Sequence, residues 1–212
     1  MTTAATLTTA PLASLGPLAG VLLRRLVPAD LPALFALTPP DTFRYFLSEP
    51  AAWTLDGFRA WADGHIFLPS QVPLLAVDEA TGEPLGSSSF MDVQPAHRHV
   101  EIGCTWYAVR ARGTHVNPAC KLLMLRHAMT GMFVDASGKR LGCVRVTLKC
   151  DARNLHSQGA MTKLGATREG TLRSHRIRPD GFVRDTVYFS ILPDELARVE
   201  AGLLARLPAG TA

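Results

Sequence analysis

The stretch from Glu101 to Ala128 constrains this chain most. Glu101-Ile-Gly-Cys-Thr-Trp106 reads as a strand, and a loop with one glycine and two arginines follows it. The spacing then predicts an amphipathic helix, with Asn117 as its cap, Pro118 at its first position, and Leu122, Leu125, Met129, Met132 and Phe133 on one face. A strand that feeds a basic loop opening into a helix is a natural holder of phosphate. The N–H groups at the helix start are free to donate, and the helix dipole favours negative charge there. Taken alone, the same pattern also describes an ordinary strand–loop–helix joint.

The flanking segments fix the architecture around it. Val21–Val27 reads as a strand, and a helix starts at Pro28-Ala-Asp30, runs through Leu31, Leu34, Phe35 and Leu37, and ends at Pro39-Pro40. A second helical region carries Phe43, Tyr45 and Phe46 and, beyond Pro50, Leu55, Phe58 and Trp61; its aromatic spacing suits a core face. After a loop from Pro69 to Pro73, Leu74–Val77 and Leu85–Phe90 form a strand–turn–strand with Gly82 in the turn, and His97–Trp106 is the next strand. Residues Arg140–Cys150 alternate, with Val144, Val146, Leu148 and Cys150 on one side and Arg145, Thr147 and Lys149 on the other. Asn154 opens a short helix with Ala160, Met161 and Leu164 inward and Gly165 as its stop. Thr171–Ile177 and Val183–Leu192 form a hairpin about Pro179-Asp-Gly181, and Leu196–Leu207 forms a last helix. Mixed order of this kind predicts an α+β fold, with a mostly antiparallel sheet of about six or seven strands flanked by helices. The expected organisation is a tail or extra edge strand over 1–20, one domain over 21–195, and a helix and tail over 196–212.

Several function classes drop out. A net charge of +4 suits an anionic ligand but falls short of a nucleic-acid footprint. No apolar run is long enough to span a bilayer, and residues 1–20 lack the positive start of a secretory signal, so a cytoplasmic protein is expected. Cys104, Cys120, Cys143 and Cys150 form no Cys-x-x-Cys pair and read as reduced thiols. The seven histidines show no metal-binding spacing, so no metal is expected.

The order of elements and the loop Arg110-Ala-Arg-Gly113-Thr-His115 resemble the GNAT superfamily of acyl-CoA-dependent N-acyltransferases, whose loop motif is Gln/Arg-x-x-Gly-x-Gly/Ala. His115 departs from it. Glu101-Ile-Gly103, Asp151-Ala-Arg-Asn154-Leu-His-Ser157, Leu164-Gly-Ala166, Glu169-Gly-Thr-Leu-Arg173 and Arg184-Asp-Thr-Val-Tyr188 are similar to the RimJ/RimL-type branch, and the likeness spans roughly residues 20–195. The resemblance implies the GNAT fold and transfer of acetyl from acetyl-CoA to a primary amine. The acceptor is a protein or peptide N-terminus, or a small amine such as an antibiotic or polyamine. It implies no nucleic-acid or membrane partner and is compatible with a homodimer. It assigns the coenzyme's diphosphate to the loop Arg110, Arg112, Gly113, Thr114, His115 and Val116, and its pantetheine arm to the backbone of Thr105, Trp106, Tyr107, Ala108 and Val109.

The resemblance also makes Glu101 the base that takes the amine proton; the residues alone equally allow a salt-bridge partner for Arg98 or another cation. Asn154 becomes a coenzyme contact as well as a helix cap, and Ser157 the donor to the leaving thiolate, or simply a first-turn residue. Tyr188 is an alternative acid, with core packing favoured. Lys121 and His127 are read as solvated or core-edge positions. The fold also serves non-catalytic acyl-CoA-binding proteins, and His115 is the residue that points there.

Overall fold

The computed structural model describes residues 8–9 and 12–210, so part of the N-terminal tail lies outside the described residues. Two edge segments open the chain, β1 (Thr8–Thr9) and β2 (Ser14–Leu18), before β3 (Val21–Arg25). The helix expected from Pro28 begins as a 3-10 turn over Pro28–Asp30 and continues as α1 (Leu31–Ala36). Asp30 fixes this entry, accepting from Val27 N at 3.0 Å and gripping Arg24 through both carboxylate oxygens at 2.7 and 2.8 Å. The second expected helix splits. Phe43 ends a 3-10 turn over Pro40–Phe43, Tyr45 and Phe46 lie in irregular chain, and α2 (Leu55–His65) starts only where Thr54 Oγ1 accepts from Gly57 N. Pro50 and the proline pair at 39 and 40 prevent one continuous helix.

The main sheet is formed by β2, β3, β4 (Val72–Asp78), β5 (Pro84–Gln94), β6 (His99–Tyr107), β9 (Arg145–Asp151), β10 (Thr167–Ile177) and β11 (Val183–Ile191). Its eight strands run in the order β10-β11-β9-β6-β5-β4-β3-β2, larger than expected because residues 14–18 add an edge. A small second sheet joins β1 to β7 (Phe133–Val134) and β8 (Arg140–Leu141). Strand β9 therefore begins at Arg145, and Val144 is 47% exposed rather than inward. All pairings in the main sheet are antiparallel except β6 with β9.

Alternation divides the core between the two faces. Leu74 and Ala76 of β4 point to the cluster under α3 (Val116–Gly131), α4 (Leu155–Leu164) and α5 (Leu196–Leu204), while Leu75 and Val77 point to that under α1 and α2. In the second cluster Phe43 packs on Trp61 at 4.5 Å and edge-on against Trp106 at 5.6 Å; such ring pairs add roughly 1 kcal/mol each beyond burial. Phe43, Phe46, Trp53, Phe58 and Trp61 thus belong to the core, as the aromatic spacing predicts, whereas Tyr45 is half-buried beneath Arg44 and Arg153.

Helix α3 differs from its expected form in two ways. Its cap is His115, so Asn117 and Pro118 sit inside the first turn. It is also buried nearly all round, at Ala119, Cys120, Lys121, Leu122, Leu123, Met124 and Leu125, because the sheet takes one side and α5 contacts another. Met132 and Phe133 lie beyond its end, still in the core.

Candidate active site

Strands β6 and β9 pair only over His99–Glu101 and Arg145–Thr147, although they run on to Tyr107 and Asp151. Past Glu101 and Thr147 the facing edges have no strand partner, so the sheet opens between them. A bulge in β6 accompanies the opening. Two residues, Cys104 and Thr105, stand opposite the single residue Ser88 of β5, and Cys104 takes φ +46°. An unpaired parallel edge in mid-sheet leaves backbone donors and acceptors available to an extended ligand.

On one side of the opening, Val146, Leu148 and Cys150 of β9 and Val187, Phe189 and Ile191 of β11 face the core under α3 and α4. Their neighbours Thr147, Lys149, Thr186 and Tyr188 face the opposite way, beyond the cluster formed with α1 and α2. This half of the sheet is polar. Glu101 stands at its border. The carboxylate is 4% exposed and meets Lys149 Nζ at 2.6 Å; Arg98 instead binds Gly142 O. Burial pushes the Glu101 carboxyl above its ordinary value, opposed by the Lys149 ammonium. Gly103, next on the same face, keeps room for it, because a Cβ there would lie 2.8 Å from Glu101 Oε1 and 2.9 Å from Met91 Sδ. Tyr188 is half-buried on this face, its ring 5.8 Å from Lys149 Nζ and edge-on to His175; it is no core residue.

On the α3 side, Asn154 Oδ1 caps α4 by accepting from Ser157 N at 3.0 Å, and the Ser157 hydroxyl lies beside the Cys150 thiol. Glu101 and Ser157 thus belong to opposite faces, and no hydrogen bond joins them.

Beyond β6 the chain turns through Val109–Ala111 into α3. The Ala111 and Arg112 amides are satisfied within this turn, and Val116 N donates to Thr114 Oγ1, whose hydroxyl binds Ala111 O. Among the described residues nothing accepts from the N–H groups of Gly113, Thr114 or His115. Arg110 pairs with Glu83 at the surface, and Arg112 Nε holds Tyr107 O. The His115 imidazole is turned away from these free amides and meets Ala19 O, between β2 and β3, at 3.1 Å. Trp106 and Tyr107 are buried on opposite faces, Trp106 Nε1 donating to Thr38 Oγ1, so only their backbone edge can serve a ligand.

Lys121 departs furthest from its sequence reading. It is buried on α3, with Nζ 2.8 Å from Thr105 Oγ1 and 3.1 Å from Ser88 Oγ and, among the described residues, no carboxylate partner. Burial lowers its pKa from 10.5 to about 8, partly opposed by Cys120. That drop corresponds to roughly 3 kcal/mol. Below pH 8 the lysine is charged in both states and the fold bears the full cost. Between 8 and 10.5 the unfolded chain holds more proton, so stability rises with pH. Lys121→Met, which leaves Ser88 and Thr105 bonded to each other at 2.7 Å, should therefore stabilise the fold at pH 7 by roughly 1–3 kcal/mol. The advantage should fade above pH 8. Denaturant melts of both proteins at pH 7 and 10 check this, and a less stable methionine variant at pH 7 would refute it.

The profile described as the Acetyltransferase (GNAT) domain matches residues 21–167. This chain belongs to the GNAT family. A solved protein from T. thermophilus, provisionally described as an acetyltransferase, is 34% identical, with 95% of this chain and 100% of that one covered and a TM-score of 0.81. Another so described is 35% identical over 91% and 93% of the two chains, TM-score 0.80. A GCN5-related N-acetyltransferase from Brucella melitensis shares the fold at 22% identity, covering 99% and 91%, TM-score 0.82. No curated protein matches the chain. The GNAT chain is an acetyl-CoA-dependent N-acetyltransferase. Its free amides and arginines at the start of α3 suit the diphosphate of that co-substrate. Among the described residues no cluster of His, Cys, Asp or Glu could hold a metal, and no helix is long and apolar enough to cross a membrane.

Sequence reasoning missed Lys149 as the partner of Glu101 and Arg184 as a charge that acts on it. The available signal was the alternation in 145–151, which puts polar residues on the back of a strand whose other face is core.

Proposed function

We propose that this GNAT enzyme is of the RimJ/RimL type and acetylates a protein or peptide N-terminus, with Glu101 as the base. One observation carries the reading: a buried carboxylate with a raised pKa, held by Lys149, stands where the sheet opens, on its polar face. Acetyl-CoA supplies the acetyl thioester. The N–H groups of Gly113, Thr114 and His115 bind diphosphate with charge from Arg110 and Arg112, and the unpaired edge of Thr105–Val109 aligns the pantetheine arm. Glu101 takes the amine proton as nitrogen attacks, and N–H groups of the bulged strand stabilise negative charge on the carbonyl oxygen. Ser157, aligned by the Asn154 cap, returns a proton to the departing sulfur. Residues 21–195 are taken as the catalytic domain, acting in the cytoplasm.

A spermidine N-acetyltransferase from Vibrio cholerae, solved with CoA and spermine, shares the fold at 17% identity, covering 84% and 99% of the chains with a TM-score of 0.65. A polycation suits this face poorly, because Lys149 and the nearly buried Arg178 and Arg184 border it. A non-catalytic role loses its support as well, since His115 is directed at Ala19. Thiol-release kinetics with acetyl-CoA against N-terminal peptides and small amines test the proposal. Turnover of peptides is expected, and turnover confined to polyamines or aminoglycosides would overturn it.

A further inference from the structure

We infer that the acceptor is a peptide with a carboxylate near its N-terminus, and that Arg184, with Arg178 beside it, is the subsite for that carboxylate. This rests on the reading of Glu101 as the base, and the observations behind it are separate.

Arg184 follows Thr186 and Tyr188 on the polar side of β11, with a side chain only 6% exposed. Its one hydrogen bond is a long contact of 3.3 Å to the Tyr45 carbonyl. The nearest carboxylate, Asp151, stays 3.9 Å away and is already taken by Arg153, which binds it through Nε, Nη2 and its own amide. Arg178 repeats the pattern. It is 8% exposed and donates to Arg44 O at 2.9 Å, while Glu49 and Asp180, both more than half exposed, remain at 3.9 and 3.8 Å. Among the described residues, the Nε atoms of both arginines are buried without a hydrogen-bond partner, as are Thr186 Oγ1 and His175 Nδ1. Two buried guanidiniums each served by one carbonyl are costly, and unpaired buried donors usually mark a missing acceptor. The group that matches a guanidinium fork is a carboxylate.

The location links this subsite to the reaction. Arg184 is electrostatically coupled to Glu101 and to Asp151, and burial lowers its pKa. The register places Glu101 level with Thr147 and Ser190, Lys149 with Tyr188, and Asp151 with Thr186, so Arg184 is the next side chain out. Glu101 leans toward Lys149 and Arg184 toward Asp151, which leaves a gap of about 7 Å along the strands between their charged ends at 3.4 Å of rise per residue. Contacts of about 3 Å at each end take up much of that gap, so the acceptor's carboxylate must lie close to its amine. In the peptide of the proposed function, an acidic side chain on the second residue supplies it. The segment Arg44–Tyr45 covers the arginines, and the long neutral bond to Tyr45 O is the contact that a charged carboxylate would replace.

Matched peptides Ser-Glu-Ala-Ala-amide and Ser-Gln-Ala-Ala-amide, with free glutamate as a third arm, test this by thiol release. Calorimetric binding of the two N-acetylated peptides gives a second readout. The glutamate peptide should be favoured about tenfold or more in kcat/KM, and its acetylated form should bind more tightly by a similar factor. Arg184→Gln should bring both ratios close to one, and Arg184→Lys should keep part of the preference. Equal use of the two peptides by the wild type, or a preference that survives Arg184→Gln, would overturn the subsite. If free glutamate is the best acceptor, the peptide assignment falls. If nothing releases thiol, the proposed function fails, and the calorimetric ratio still decides the subsite.

Discussion

Gly113→Glu should abolish coenzyme binding, raising the Kd for CoA by about a thousandfold or more, while the protein still folds. Gly113 has φ +73°, and a Cβ built on it meets no heavy atom within 4 Å. The fold therefore bears only the left-handed backbone penalty of roughly 1–2 kcal/mol. A glutamate there puts a negative charge beside the free N–H groups of Gly113, Thr114 and His115, at the positive end of α3. Its carboxylate becomes an internal competitor for those donors and repels the diphosphate. Gly113→Ala carries the same backbone strain without the charge, so it should retain most of the affinity. Calorimetric titration with CoA, beside a thermal melt of each variant, separates the two effects. Wild-type affinity in the glutamate variant would show that the loop does not hold the diphosphate.

The parts of this site legible in the sequence are those set by near neighbours. Asn154 caps α4 and Gly165 ends it, and Pro179-Asp-Gly181 turns the last hairpin, because each depends on residues a few positions away. Burial by distant elements was not legible. Helix α3 reads as amphipathic, yet α5, more than sixty residues later, covers its outer side. Lys121 reads as solvated or core-edge, yet Ser88 and Thr105, from two strands earlier in the chain, supply its polar partners inside the core. The pairing of Glu101 with Lys149 depends on the parallel contact between β6 and β9, which a crossover through α3 creates. Local spacing offers Arg98 as readily. The shift of the α3 cap from Asn117 to His115 is the usual small error of helix boundaries, but here it decides which amides are free.

Glu101→Gln should lower kcat by a factor on the order of 10²–10³ while leaving CoA affinity nearly unchanged. The amide is isosteric and keeps the space that Gly103 provides, but it cannot accept a proton. The pH profile distinguishes loss of a base from loss of a structural contact. Glu101 works as a base only when ionised, and burial raises its pKa despite Lys149. The wild-type rate should therefore fall as pH drops through a value above the ordinary 4.5 of a glutamate, and glutamine should remove that acidic limb. Lys149 keeps some exposure, so the ammonium left without its carboxylate can be hydrated. Lys149→Met makes the complementary change. Without the cation favouring the charged form, the Glu101 pKa should rise further and the acidic limb should move to higher pH. A base assignment requires the two variants to act oppositely on the profile, one erasing the limb and the other displacing it upward. If Glu101→Gln retains the wild-type rate across the pH range, the carboxylate is only the partner of Lys149 and the proton leaves the amine by another route.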